Sequence, residues 1–318
     1  MRKKPLTRVK NRMERKLKRK LRKKQSRGGV NGFYLFTKRQ ERKIRKRQKK
    51  KNKSPLGNLL LETSVFIKGA SNNNFKKFIK DFTKGYSVCS SNFCLYEYKM
   101  GLIRVIIDFY VFIKTYTGDV PDAIDEWNNK CFGIRELKYK DKIQPIMARM
   151  YNSINYQNKE EYLNRLEIII GSLVRLFMAD IKNLVGDFGD NDVIKFNIDR
   201  KEDYKSFLAV CENNEYMKLG DFWEENHEDF LMYIKNEAEF KGSALKRIYK
   251  SLKNIDKNKK YADMHKTCLA LGDAVIAVDC PKSYKIITLD KAFNVLATLI
   301  DKRIGLVEKD GAGYAVNK

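Results

Sequence analysis

Residues 1–53 hold 26 lysines and arginines against two acids, Glu14 and Glu41, and so carry +24 of the formal +27 charge of the 318-residue chain. A segment with a basic residue at every second position repels itself and has little apolar surface to offset chain entropy, so it builds no core of its own. It requires a polyanion. Leu6, Val9, Met13, Leu17 and Leu21 recur at helical steps and draw a narrow apolar stripe along an otherwise cationic helix. The stretch RGGVNGFYLF then breaks that pattern and offers Phe33, Tyr34 and Phe36 before a second basic block. Basic runs neutralise phosphates and aromatic rings stack on exposed bases. Arg12, Arg15, Lys16, Arg19, Arg27, Arg42, Arg45 and Arg47, with Phe33 and Tyr34, are therefore the nucleic-acid-binding candidates. The arginine and aromatic mixture favours RNA over DNA. The competing readings are a solvating or targeting tail and a membrane-surface helix; the second is disfavoured by a stripe with few large apolar residues and no tryptophan.

The rest of the chain is nearly neutral, and 43% apolar residues overall suffice for a sizeable core. Its densest apolar run, residues 102–113, is interrupted by Arg104 and Asp108, which argues against a membrane span. The basic start is followed by no apolar stretch, so a signal peptide is not expected, and a cytoplasmic location, or a nuclear or nucleolar one in a eukaryote, is. Six cysteines occur without a CxxC pair, and His227 and His265 are the chain's two histidines. Free, partly buried thiols are expected, and no zinc site.

Beyond the break at Pro55 and Gly57, the expected class is an α/β fold in three layers around a mostly parallel sheet, with an all-helical insertion. The organisation read from composition is a basic arm (1–53), a first α/β part (54–117), a helical insertion (118–260) and a second α/β part (261–318). Leu59–Leu61 reads as a buried strand ending at Glu62. The apolar run around residues 91–116 reads as one long helix with Glu97 near its start and Gly101 one turn on, leaving room beside the carboxylate. Residues 159–185 are the clearest amphipathic helix of the middle region. The acidic stretch GDFGDNDV lacks calcium-loop spacing and reads as a solvated turn, and FWEENHEDF around His227 as a helix start. Near the end, KIIT forms a short strand followed by Asp290.

Acids at the carboxyl ends of buried strands matter because open α/β sheets place ligand sites in that crevice. Asp273 and Asp290 both suit helix N-caps, worth about 1 kcal/mol each. Glu62, ending a buried strand, and Glu97, on an apolar helix, are less easily explained, because an unpaired buried charge is costly. A cation between them would resolve the cost.

Four motifs stand in order: LETS at 61–64, EYKMG at 97–101, DAVIA at 273–277 and TLD at 288–290. Together they resemble the PIN domain family, the metal-dependent RNase fold, over about a third of the chain. The resemblance implies Mg2+ or Mn2+ held by Glu62, Glu97, Asp273 and Asp290, with Ser64 and Thr288 orienting ligands by hydrogen bonds, and hydrolysis of RNA phosphodiesters by a metal-activated water. The chemistry agrees, since hard divalent ions prefer carboxylate oxygens and clustered carboxylates need a cation to stay ionised together. Two departures bear on activity. The family's first acid is normally Asp, whereas Glu62 is one methylene longer, and the stretch from Glu97 to Asp273 is far longer than in compact members. The expected function is a metal-dependent RNA endonuclease with an RNA-binding arm. The alternative is a catalytically weak or inactive RNA-binding protein of ribonucleoprotein assembly. A ribonucleoprotein partner or a protein inhibitor is compatible with either.

Overall fold

The computed structural model describes residues 55–133, 158–186, 188, 192–196, 198, 203–212, 217–310 and 313–317. The arm candidates from Arg12 to Arg47, and the apolar stripe, lie outside the described residues. Residues 55–318 belong to one compact unit.

Strand β1 (Asn58–Leu61) leads through α1 (Thr63–Ser71) and α2 (Asn73–Phe82) to β2 (Ser87–Ser91). The chain continues as α3 (Asn92–Glu97), a π-helical turn (Tyr98–Ile103), α4 (Arg104–Thr115), α5 (Val120–Gly133), α6 (Lys159–Ala179) and β3 (Leu184–Val185). There follow α7 (Asp192–Lys195), α8 (Asp203–Glu212), α9 (Gly220–Glu225), α10 (His227–Lys235), α11 (Ser243–Lys257) and α12 (His265–Asp279). The last elements are β4 (Tyr284–Thr288), α13 (Ala292–Leu299), β5 (Arg303–Asp310) and β6 (Gly313–Asn317). The six strands form a sheet in the order β3-β2-β1-β4-β5-β6, parallel except for the terminal β5–β6 pair.

β1 is central, with Leu60 opposite Cys89 of β2 on one side and Ile286 of β4 on the other. Successive residues of a strand face opposite sides of the sheet, and Leu59, Leu60 and Leu61 are all buried, so both faces are covered there. Parallel neighbours need long crossovers, which is why helices fill every connection between the parallel strands.

Three sequence expectations need correction. The run expected as one long helix is preceded by β2 and interrupted by the π turn. The sequence SVCSS has one β-branched residue, Val88, and no aromatic, a weak strand signal; it is held as one by pairing with β1 and β3, and the Ser90 hydroxyl donates to Leu61 O at 2.8 Å and the Cys89 thiol to Leu59 O at 3.3 Å. The insertion is not all-helical, since β3 pairs Leu184 and Val185 with Ser90 and Ser91. Two residues are too few for any alternation to be seen. The helix expected over 159–185 accordingly stops at Ala179.

The middle region shares the core of the sheet. Phe93 of α3 meets Phe188, which meets Phe222 of α9, with ring centroids 5.0 Å apart in both pairs. Phe222 in turn packs on Phe230 of α10. A second tie is ionic. Lys99, in the π turn and only 3% exposed, donates to Val193 O, Ile194 O and Phe196 O at 3.0, 2.8 and 2.5 Å. These carbonyls belong to α7 and to the residue just beyond it. Burial draws the Lys99 pKa down to about 8. The three carbonyls oppose that shift, because each accepts one hydrogen of the ammonium form.

Lys99→Met keeps the stem and removes all three donations to this segment. A loss of about 2 kcal/mol or more is expected in urea unfolding, with the midpoint lowered. An unchanged midpoint would mean that Lys99 does not anchor this segment.

Candidate functional site

The site begins where β1 stops. Glu62 N still donates to Ile287 O of β4 at 3.0 Å, and the Glu62 backbone is extended (φ −82°, ψ 160°), so the residue stands between the strand and α1. Its side chain turns back to cap that helix, Oε1 accepting from Ser64 N at 2.9 Å. Oε2 accepts from the Ser64 hydroxyl and, at 3.0 Å, from the Thr288 hydroxyl of β4. Both hydroxyls are themselves fixed by backbone amides: Ser64 Oγ accepts from Leu289 N at 3.1 Å, and Thr288 Oγ1 from Asp290 N at 2.9 Å. The end of β1 and the loop after β4 are thus joined through one carboxylate and two hydroxyls. The structure brings Ser64 and Thr288 onto Glu62 itself.

Glu62 is only 4% exposed. Burial raises its pKa; the hydrogen bonds from Ser64 and Thr288 counter that in part, and the charge of Asp290 adds to it. Among the described residues no lysine or arginine forms an ion pair with either Glu62 or Asp290.

Glu97 ends α3, the helix that follows β2. Its Oε2 accepts from the Thr63 hydroxyl at 2.6 Å, which ties the second acid to the residue beside the first. On its other side lies α12, where a Cβ added at Gly272 would come within 2.5 Å of Glu97 Oε1 and 2.8 Å of Phe93 Cε1. Gly272 is thus a glycine set against this carboxylate. Asp273 is the next residue on α12 and is half-buried. It lies in the middle of the helix, which starts at His265, so the cap reading for Asp273 is incorrect. The two turns before it belong to the same helix, with Thr267, Cys268 and Leu271 buried. Asp290 is exposed and precedes the N-cap residue, Lys291, of α13; its Oδ1 nevertheless accepts from Ala292 N at 2.8 Å, the first amide of that helix.

Three of the acids therefore map to one end of the sheet, after β1, on the helix after β2 and after β4, and Asp273 follows the glycine of α12 that lies against Glu97. Among the described residues, however, no group of three or more His, Cys, Asp or Glu side chains is arranged to hold a metal ion. Glu62 has both oxygens engaged inside the chain, and Asp290 has one. Two thiols complete the surroundings. Cys94 is pushed up to about 12 by burial and by the charges of Glu62 and Glu97, and Cys268 to about 12 by burial and by Glu97. Both stay protonated at neutral pH and are poor metal ligands in that form. Cys89, Cys94, Cys268 and Cys280 are free and fully buried.

Thr63 and Gly272 were not singled out from the sequence. Thr63 lies inside the LETS motif and Gly272 directly precedes DAVIA, so adjacency was the signal available for both.

Because the folded-state pKa of Glu62 is raised, its contribution to stability is complete below the ordinary carboxyl range and is lost as pH rises through the higher folded value. Glu62→Gln keeps the shape and removes the charge. The variant should be more stable than the parent at neutral pH and equal to it in mild acid, as read by urea unfolding at both. A variant less stable at neutral pH would show that the ionised carboxylate is favoured where it stands. No family model matches this chain, and neither a curated protein nor a solved structure does.

Proposed function

We propose that the chain is a metal-dependent RNA endonuclease, with Glu97 and Asp273 as the principal ligands of Mg2+ or Mn2+ and Asp290 and Glu62 completing the acidic set. The observation that carries this reading is Glu62: a buried carboxylate at the end of the central strand, facing the charge of Asp290, with no cationic partner among the described residues. A divalent ion would relieve both charges, and carboxylate oxygens are the donors such ions prefer. When bound, the ion would supply Lewis-acid stabilisation of a phosphodiester and activation of water.

The chain's own residues would do the positioning. Thr63 restrains Glu97 from one side, and the missing side chain of Gly272 lets α12 approach from the other, with Asp273 the next residue along that helix. Ser64 and Thr288 hold Glu62 against the loop that carries Asp290. Glu62 would have to exchange one internal hydrogen bond for the ion, and its extra methylene supplies the reach. The basic arm would neutralise RNA phosphates and set affinity with little sequence selectivity.

A second reading has its own support. Both Glu62 oxygens are satisfied as a helix cap and no ion-holding group of three is assembled among the described residues, which favours a catalytically weak or inactive RNA-binding protein of ribonucleoprotein assembly.

The two readings separate in an assay of mixed structured and single-stranded RNA with Mn2+ or Mg2+. Cleavage is expected in metal and not in EDTA, with Asp273→Asn lowering it by about 100-fold or more. Binding should weaken on removal of residues 1–53 and fall steeply with salt. RNA that is bound but never cut, even by Glu62→Asp, would replace the nuclease with the assembly protein.

A further inference from the structure

Away from the acids, α1, α2 and the end of α6 enclose a cavity of about 390 Å3. That is within the roughly 300–1,000 Å3 of small-ligand sites, which are mostly apolar with a few placed polar groups. Its floor is aromatic. Phe66 and Phe177 are 4.0 Å apart between ring centroids, and Tyr98 lies 5.0 Å from Phe177. Leu61, Val65 and Ile79 add aliphatic walls.

The two hydroxyls at this cavity are already committed, Thr83 donating to Ile79 O at 2.8 Å and Tyr98 to Leu173 O at 3.4 Å. A nucleobase placed here would lose water from several donors and acceptors without replacing those bonds, which disfavours it. A hydrocarbon body loses nothing of that kind.

Charge enters at the rim. Lys76 and Lys80 lie one turn apart on α2, on one face of the helix, and both line the cavity. Neither side chain makes an ion pair or hydrogen bond among the described residues. Asp180, just beyond α6, stands at the same rim without pairing to either lysine.

We propose that this cavity binds a small amphiphilic anion, a hydrocarbon body with one carboxylate head of the kind found in a medium-chain fatty acid. The body rests on Phe66, Tyr98 and Phe177, and the head is held by Lys76 and Lys80.

Gly69 provides the decisive variant. It lines the cavity, and a Cβ there meets nothing within 4 Å, so a larger side chain enters free space. Its place in α1 makes replacement favourable for helix propensity. Calorimetric titration of the full chain with decanoate should show one saturable site, and octanoate should bind about tenfold more weakly for its two fewer methylenes. Gly69→Leu should abolish this site while leaving Tm unchanged or higher. Lys76→Glu with Lys80→Glu should weaken it at least tenfold, and Asp180→Asn should strengthen it. Anion binding by the basic arm is distinguished because it follows charge and not chain length. Phosphatidylglycerol vesicles separate a free acid from a membrane lipid: their binding should be the same with and without Gly69→Leu. The proposal is overturned if decanoate does not bind, if its affinity ignores chain length or Gly69→Leu, or if vesicle binding is what Gly69→Leu removes.

Discussion

The burial of β1 on both faces and along both edges is the constraint from which the remainder follows. Strands that pair in parallel with it cannot be reached by tight turns, so helices must fill the crossovers. Both sheet faces are then covered, and the strand end is where the chain must change direction. At that end the backbone of the next helix has free N–H groups, and Glu62 satisfies one of them while still bonded to β4 through its own amide. A carboxylate becomes buried as a consequence of the topology.

Burying that group is expensive. The effective penalty for a carboxylate in a protein interior is several kcal/mol, whereas each hydrogen bond to a charged group returns about 1.5–3 kcal/mol. Three donors, one amide and two hydroxyls, therefore come near to balance without a cation, and the raised pKa shows that burial still outweighs them. The carboxylate is thus tolerated there at a residual cost. Glu97 stands differently, held by the Thr63 hydroxyl and bordered by Gly272 of α12.

The long region between Glu97 and Asp273 is bound into the same core by two kinds of force. Ring contacts from Phe93 through Phe188 to Phe222 supply apolar contact, and Lys99 supplies direction by taking three carbonyls at the end of α7. Hydrophobic contact alone is nondirectional. The lysine specifies which short helix docks on the π turn, and it does so two residues from Glu97.

By itself the sequence determined the parts whose signal is local. The charge of the arm, the leucines of β1, the β-branched run of β4, the periodicity of α6 and the order of the four acids could all be read from short windows. Tertiary structure decided the parts whose signal is not local. SVCSS is a strand because β1 pairs with it, Leu184–Val185 because β2 offers an edge, and Gly272 matters because Glu97, far away in the chain, lies against it. Periodicity reports which face of an element is apolar, whereas hydrogen bonds and close approaches between distant residues exist only once the elements are packed.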